Sequence, residues 1–126
     1  MDEFVFVYMT TSSLDQARVI GRRLVEARLA ACANILPGME SIYHWQGKIE
    51  TAQETVLIAK TRAVLVDQLT AMVKQLHSYD CPCVVALPIT AGIRPICAGW
   101  GRKRAVLRAR HLPDSHGEPA SLAFAA

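Results

Sequence analysis

Residues 76–89 read Leu-His-Ser-Tyr-Asp-Cys-Pro-Cys-Val-Val-Ala-Leu-Pro-Ile, and they gather much of the chain's reactive chemistry in one place. His77, Cys81 and Cys83 are imidazole and thiol donors, the types that suit Cu(I) and zinc. On an extended strand, residues i and i+2 face the same way. Both sulfurs could then point at one atom, and His77 at a helix end could close on it. A disulfide between the two is disfavoured, because that spacing holds their Cα atoms about 6.5–7 Å apart, at or beyond the usual limit for a bridge. The competing reading is that these cysteines are small buried hydrophobes on a strand entering a core. A single Cys-x-Cys lacks the second pair that makes a zinc signature, so both readings stay open.

A second cluster, Tyr43, His44 and Trp45, falls where a hairpin tip is expected. Such aromatics either bind a ligand or fill an intersubunit contact, since Tyr and Trp offer large area with a polar handle. Catalytic readings find no support. The chain contains no Gly-rich phosphate loop, Gly-x-Ser-x-Gly, His-Glu-x-x-His or Walker motif. A Cys81–His77 pair would lack an identifiable third group to orient it. The expectation is a binding protein, not an enzyme.

The elements that must position these residues follow from hydrophobic patterning. Residues 3–10, β-branched and aromatic, read as a strand buried on both faces. Ser12 or Ser13 caps a helix with Leu14, Ala17, Ile20, Leu24 and Ala27 at helical spacing. Residues 32–62 read as a long hairpin turning at Trp45-Gln46-Gly47-Lys48, with a bulge or bend at Pro37-Gly38. A second helix over residues 63–79 carries Leu65, Leu69, Met72, Val73 and Leu76 on one face, and a last strand runs within residues 83–92. The order β-α-β-β-α-β is that of an α+β, ferredoxin-like split sandwich: two helices on one face of a four-stranded antiparallel sheet. The other face is expected to be apolar and covered by self-association, with the long hairpin as an arm reaching a neighbour.

At 126 residues and 52% hydrophobic content, the chain is the size of one ordinary domain with ample core. Its apolar runs are far shorter than the roughly 18–20 residues that span a bilayer, so no membrane partner is expected. The acidic opening, Met1-Asp2-Glu3, does not resemble a secretory leader, and a cytosolic location with reduced thiols is expected. Charge is uneven: residues 1–92 hold 8 Lys/Arg against 9 Asp/Glu, and residues 93–126 hold 6 against 2. The expected organisation is therefore a domain over residues 1–92 and a basic C-terminal segment over 93–126. The run Arg102–Arg110 lacks the stacking aromatics and groove-reading pattern of a nucleic-acid binder. The tail beyond it, with His111 and His116, reads as loosely held and solvated.

Longer words in the sequence resemble the CutA family of divalent-cation-tolerance proteins, in order and spacing, over about residues 5–92. They are Arg28-Leu29-Ala30-Ala31-Cys32, Asn34-Ile35 with Pro37-Gly38, Tyr43 and Trp45 with Gly47-Lys48, Lys60-Thr61, and His77, Tyr79 and Pro82 before Ala86-Leu87-Pro88. The resemblance implies a ferredoxin-like fold, a tight homotrimer resembling the nitrogen-signalling PII-type trimers, a cytosolic location, and a role in tolerance of copper and other divalent metals. It implies no established catalytic reaction. It makes Cys32 a copper-ligand candidate in a cleft, against the reading that Cys32 merely serves close helix-to-strand packing. It also puts Lys60 near an intersubunit pocket, either holding an anion or capping the third strand in solvent.

Two departures stand out. The family pattern His-Pro-Tyr-x-x-Pro-Glu is here His77-Ser78-Tyr79-Asp80-Cys81-Pro82-Cys83, with a thiol for a carboxylate, which moves the donor set from hard oxygen towards soft metals. Beyond Ile93 only Pro95 and Trp100 echo the family's ending. The metal-donor candidates are thus Cys32, His77, Cys81 and Cys83, for copper or zinc, with no resident cofactor required. In the alternative reading, a PII-like signalling or scaffold module, Tyr43, Trp45, Lys60 and Tyr79 form a pocket for a small anionic ligand or a protein partner.

Overall fold

Eight residues from Phe4 to Thr11 form strand β1. In the computed structural model, residues 3–92 are described; the expectations for 93–126, including the basic run and the tail histidines, lie outside them. Burial along β1 alternates: Val5, Val7, Met9 and Thr11 are buried, whereas Phe4, Phe6, Tyr8 and Thr10 are half-buried. The strand is where the sequence puts it, but the expected burial on both faces is not found. An unbroken apolar run fixes that a strand exists, not which of its faces the helices cover.

Helix α1 (Leu14–Glu26) begins at Ser13, whose hydroxyl accepts the Gln16 N–H at 3.1 Å, while the Gln16 side chain accepts the Ser12 N–H at 3.0 Å. This reciprocal arrangement satisfies donors that the first turn otherwise leaves unpaired. Ala17, Ile20, Gly21 and Leu24 face inward; Ala27, expected on the same stripe, is the C-cap and is exposed. The helix ends because Arg28 turns left-handed (φ 62°), with the Arg28 N–H bonded to Val25 O and the Leu29 N–H to Leu24 O. That is the Schellman pattern, here without its usual glycine.

Strands β2 (Cys32–Trp45) and β3 (Lys48–Arg62) make the long hairpin. Its two-residue turn is Gln46-Gly47, both at positive φ (51° and 80°), the twist that matches right-handed strands. At Pro37-Gly38 the register shifts: Leu36 pairs with Val56, but Met39 pairs with Glu54, so one extra residue sits in β2. This is the expected bulge, with Gly38 at φ 84°. β3 pairs antiparallel with β1 from Thr55 to Arg62. Beyond the bulge, Met39–Trp45 and Lys48–Glu54 pair with each other, an arm of about 23 Å.

A 3₁₀ turn (Ala63–Leu65) leads into α2 (Val66–Leu76), shorter than the helical pattern over 63–79 suggests, and β4 (Val84–Pro88) closes the set. The result is an α+β fold with a four-stranded sheet in the order β2-β3-β1-β4. The core joins Val5, Val7, Met9, Leu57 and Ala59 of the sheet to Ile20, Leu24, Leu69 and Val73 of the helices. Gly21 is where α1 approaches most closely: a Cβ there would lie 3.2 Å from Leu57 Cδ1 and 3.4 Å from Ala33 Cβ. By contacts the chain divides into Met1–Leu87 and Pro88–Ala126. Of the second unit, Pro88–Gly92 are described.

Candidate functional site

The segment between α2 and β4 carries the residues singled out first. His77 is the C-cap of α2, its N–H bonded to Val73 O at 2.8 Å. Its buried ring is fully engaged: Nδ1 accepts the Tyr79 N–H at 3.1 Å, and Nε2 lies 2.7 Å from Thr10 O. Because Nδ1 accepts an amide proton, Nε2 must carry the ring proton and donate to the carbonyl. Neither nitrogen has a lone pair left for a metal. His77 thus ties the end of α2 to the end of β1.

Tyr79 extends the network. Its ring packs at a tilt against His77, centroids 4.6 Å apart, and its hydroxyl donates to Glu54 Oε2 at 2.6 Å. The Ser41 hydroxyl donates to Glu54 Oε1, also at 2.6 Å. Burial, reinforced by the Glu54 carboxylate that accepts its proton, pushes the Tyr79 phenol up to about 12. Thr10, Ser41 and Glu54 escaped the sequence reading. For Ser41 there was a signal: the extra residue at Pro37-Gly38 flips the faces of β2, moving the odd-numbered residues beyond it onto the face of Glu54. Tyr8 hydroxyl to Met39 Sδ, 3.5 Å, joins the same face. For Thr10–His77 no local signal existed, since the partners are 67 residues apart.

Cys81 is exposed and Cys83 half-buried, and both precede β4 instead of lying in it, because the strand starts at Val84. Cys32 opens β2 directly opposite Lys60. Burial raises the Cys32 thiol, partly opposed by the Lys60 ammonium beside it. Lys60 is 2% exposed, two residues short of the end of β3, with its ammonium 5.6 Å from the Phe6 ring centroid. It does not cap the strand in solvent. Lys60 and Val56 stand opposite Cys32 and Thr10 respectively, so Cys32 is separated from His77's anchor by four residues of strand, about 13 Å. Among the described residues no group of three or more His, Cys, Asp or Glu is placed to hold a metal ion. Cys32, His77, Cys81 and Cys83 therefore do not assemble into a tetrahedral site within one chain, and the fit to zinc fails there.

The pocket candidates are likewise spread along the hairpin. Tyr43 and Trp45 lie on the arm, opposite Glu50 and Lys48. Lys60 is ten residues beyond Glu50 and twelve beyond Lys48 along β3, about 33 and 40 Å away. Tyr79 belongs to the root of the arm, near enough to Tyr43 for that ring to contribute to its raised phenol. A cleft the sequence did not mark, about 370 Å³, opens between α1 and β2 beside Arg18, Arg22, Val25, Glu26, Ala33 and Ile35. It contains none of the chosen residues. Among the described residues no helix is long and apolar enough to cross a membrane.

Residues 5–100 match the family described as CutA1 divalent ion tolerance protein. The divalent-cation tolerance protein CutA of Thermus thermophilus is 48% identical over 94 residues, covering 75% of this chain and 89% of the relative. A solved structure of the divalent cation tolerance protein from the same organism superposes with a TM-score of 0.73 at 45% identity, covering 77% of this chain and 93% of that one. Protein CutA, chloroplastic, of Arabidopsis thaliana is 44% identical over 88 residues, 70% of this chain. The chain spans about half the length of that plant relative, 48%.

These relatives overturn the cytosolic expectation. The Arabidopsis protein is named chloroplastic, and a structure from Archaeoglobus fulgidus, 42% identical with a TM-score of 0.73 and coverage of 77% and 93%, is described as a periplasmic divalent cation tolerance protein. Relatives that share this fold are thus named for more than one compartment.

Proposed function

The chain belongs to the CutA1 divalent ion tolerance family, and from that premise we propose that it serves divalent-cation tolerance by binding copper or zinc as a homotrimer of ferredoxin-like subunits, without catalysis. The observation that carries this reading is the arm. Ile42, Ile49 and Trp45 are 69%, 66% and 59% exposed on a two-stranded ribbon. An isolated ribbon is marginal in water, and apolar side chains on it call for a covering surface. A second and third copy supply that surface.

Assembly also answers the donor problem. A divalent first-row ion takes about four ligands, and the described residues of one chain do not bring three together. Cys32 stands on β2, an edge of the sheet, and His44 and Glu50 are exposed on the arm. Donors placed at edges and tips are completed by a neighbour's. Equilibrium dialysis of Cu(II) and Zn(II) against wild type and an Ile42→Glu/Ile49→Glu variant tests this. Retention by the assembled protein and its loss on dissociation are expected; equal retention by separated protomers would overturn the reading.

A second reading is favoured by Lys60, a buried ammonium on the face of the sheet away from the helices. In it, the trimer is a PII-like signalling or scaffold module that takes a small anionic ligand in its intersubunit clefts, with a neighbour's Tyr43 and Trp45 closing over Lys60. Calorimetry with nucleotides and dicarboxylates, repeated on Lys60→Met, separates the two.

A further inference from the structure

We propose that the cleft between α1 and β2 is a binding site for a free aliphatic α-amino acid of the leucine type. The cleft holds none of the donors of the tolerance reading and needs no second protomer, since its lining residues all belong to one chain. It encloses about 370 Å³, at the small end of the roughly 300–1,000 Å³ that ligand clefts span. Its two walls are held together at Gly21, which lets α1 sit directly against Leu57 and Ala33.

Two kinds of surface meet there. Arg18, Arg22 and Glu26, spaced i, i+4 and i+8, form one exposed row along α1. Successive members are about 6 Å apart along the helix axis, so their long side chains can converge on one small molecule. Beside the row, Val25, Ala33 and Ile35 supply apolar surface. Ala33 and Ile35 are half-buried and pair with Ala59 and Leu57 on the face that the helices cover, and Val25 is left 39% exposed.

The charges in this row are not used up within the helix. Arg18 lies 3.7 Å from Asp15, but among the described residues neither Arg22 nor Glu26 has a hydrogen-bond or ion-pair partner. Arginine before glutamate is the less favourable order for an i, i+4 pair, and these two do not pair with each other. Glu26 is also the last residue of α1, where the helix dipole favours cations and opposes a carboxylate. Helix stability does not account for an acid at that position; a cationic group brought by a ligand offsets the unfavourable placement.

The lining then selects the ligand. A planar guanidinium takes a carboxylate through two parallel hydrogen bonds, and Arg22 supplies that fork with Arg18 beside it. Glu26 accepts from an ammonium, and an aliphatic chain lies on Val25, Ala33 and Ile35. A free α-amino acid carries all three groups on one carbon. A simple fatty acid leaves Glu26 without a partner, a polyanion such as a nucleotide is repelled by it, and a residue within a peptide has neither charge.

The test is isothermal titration calorimetry on the reduced full chain in the assembly it adopts. The probes are L-leucine, 4-methylpentanoate (no ammonium), 3-methylbutylamine (no carboxylate) and glycine (no aliphatic chain). Leucine should saturate at one per chain with a Kd below about 1 mM, each truncated probe binding at least about tenfold more weakly. Arg22→Gln should weaken leucine and 4-methylpentanoate alike. Glu26→Gln should weaken leucine while leaving 4-methylpentanoate as tight or tighter, a crossover that a general loss of structure does not produce. Both positions are exposed, and circular dichroism checks each fold. No leucine binding up to about 10 mM, 4-methylpentanoate bound by wild type as tightly as leucine, or leucine binding unchanged in both variants would overturn the proposal.

Discussion

Replacing Tyr79 with Phe deletes one oxygen from the root of the arm. The hydroxyl lost is the one that donates to Glu54 Oε2 at 2.6 Å, a short bond to a carboxylate. Hydrogen bonds to charged groups contribute about 1.5–3 kcal/mol. Here Glu54 keeps its Ser41 partner, and Tyr79 is only half-buried, so water replaces part of what is removed. The expected loss is therefore near the low end, about 1–1.5 kcal/mol. For a body of this size that lowers Tm by roughly 5–10 °C, read by thermal melts at fixed protomer concentration because association shifts apparent stability.

The same bond sets a sign. The folded phenol sits at about 12, above its ordinary 10, so the folded state favours the protonated ring. Its contribution is fully present below pH 10 and is lost as pH rises through about 12. Absorbance titration at 295 nm should show a late phase near pH 12 that is missing in Tyr79→Phe. In a double-mutant cycle with Glu54→Gln, Tyr79→Phe should show a coupling of at least about 0.5 kcal/mol. An unchanged melt together with an unchanged titration would refute the network.

Three further outcomes follow from the geometry. His77→Ala strands the Thr10 carbonyl and removes both ring bonds, and urea unfolding should show a loss of about 2–3 kcal/mol. Leu57→Ala, at a fully buried position in the central strand β3, should cost about 3–4 kcal/mol in the same assay. Iodoacetamide at pH 8, followed by peptide mass spectrometry, should label exposed Cys81 well before Cys32, whose thiol burial pushes up.

What could be read from the sequence was local. Ser13 capping α1, the Gln46-Gly47 turn and the Pro37-Gly38 bulge each depend on a few adjacent residues, and each is found where the sequence puts it. Arg28 was not legible as a helix stop, because a non-glycine left-handed residue carries no mark of its own. The run Phe4–Met9 announced a strand but not its alternation, which the helices impose from outside. Cys83 was expected inside a strand that begins one residue later. The site was less legible still. His77 reads as a ligand until Thr10 and the Tyr79 amide occupy its ring, and Glu54 becomes central only once the Tyr79 hydroxyl, 25 residues away in sequence, reaches it. Those are long-range pairings, set by topology and not by any short word.

The central claim is that the exposed arm is covered by other copies of the chain. Light scattering on the full chain at micromolar concentration, beside Ile42→Glu/Ile49→Glu, tests it directly. The account predicts three times the 13.8 kDa protomer mass for the wild type and a fall towards one protomer for the variant. A wild type that scatters as a single 13.8 kDa chain would contradict it.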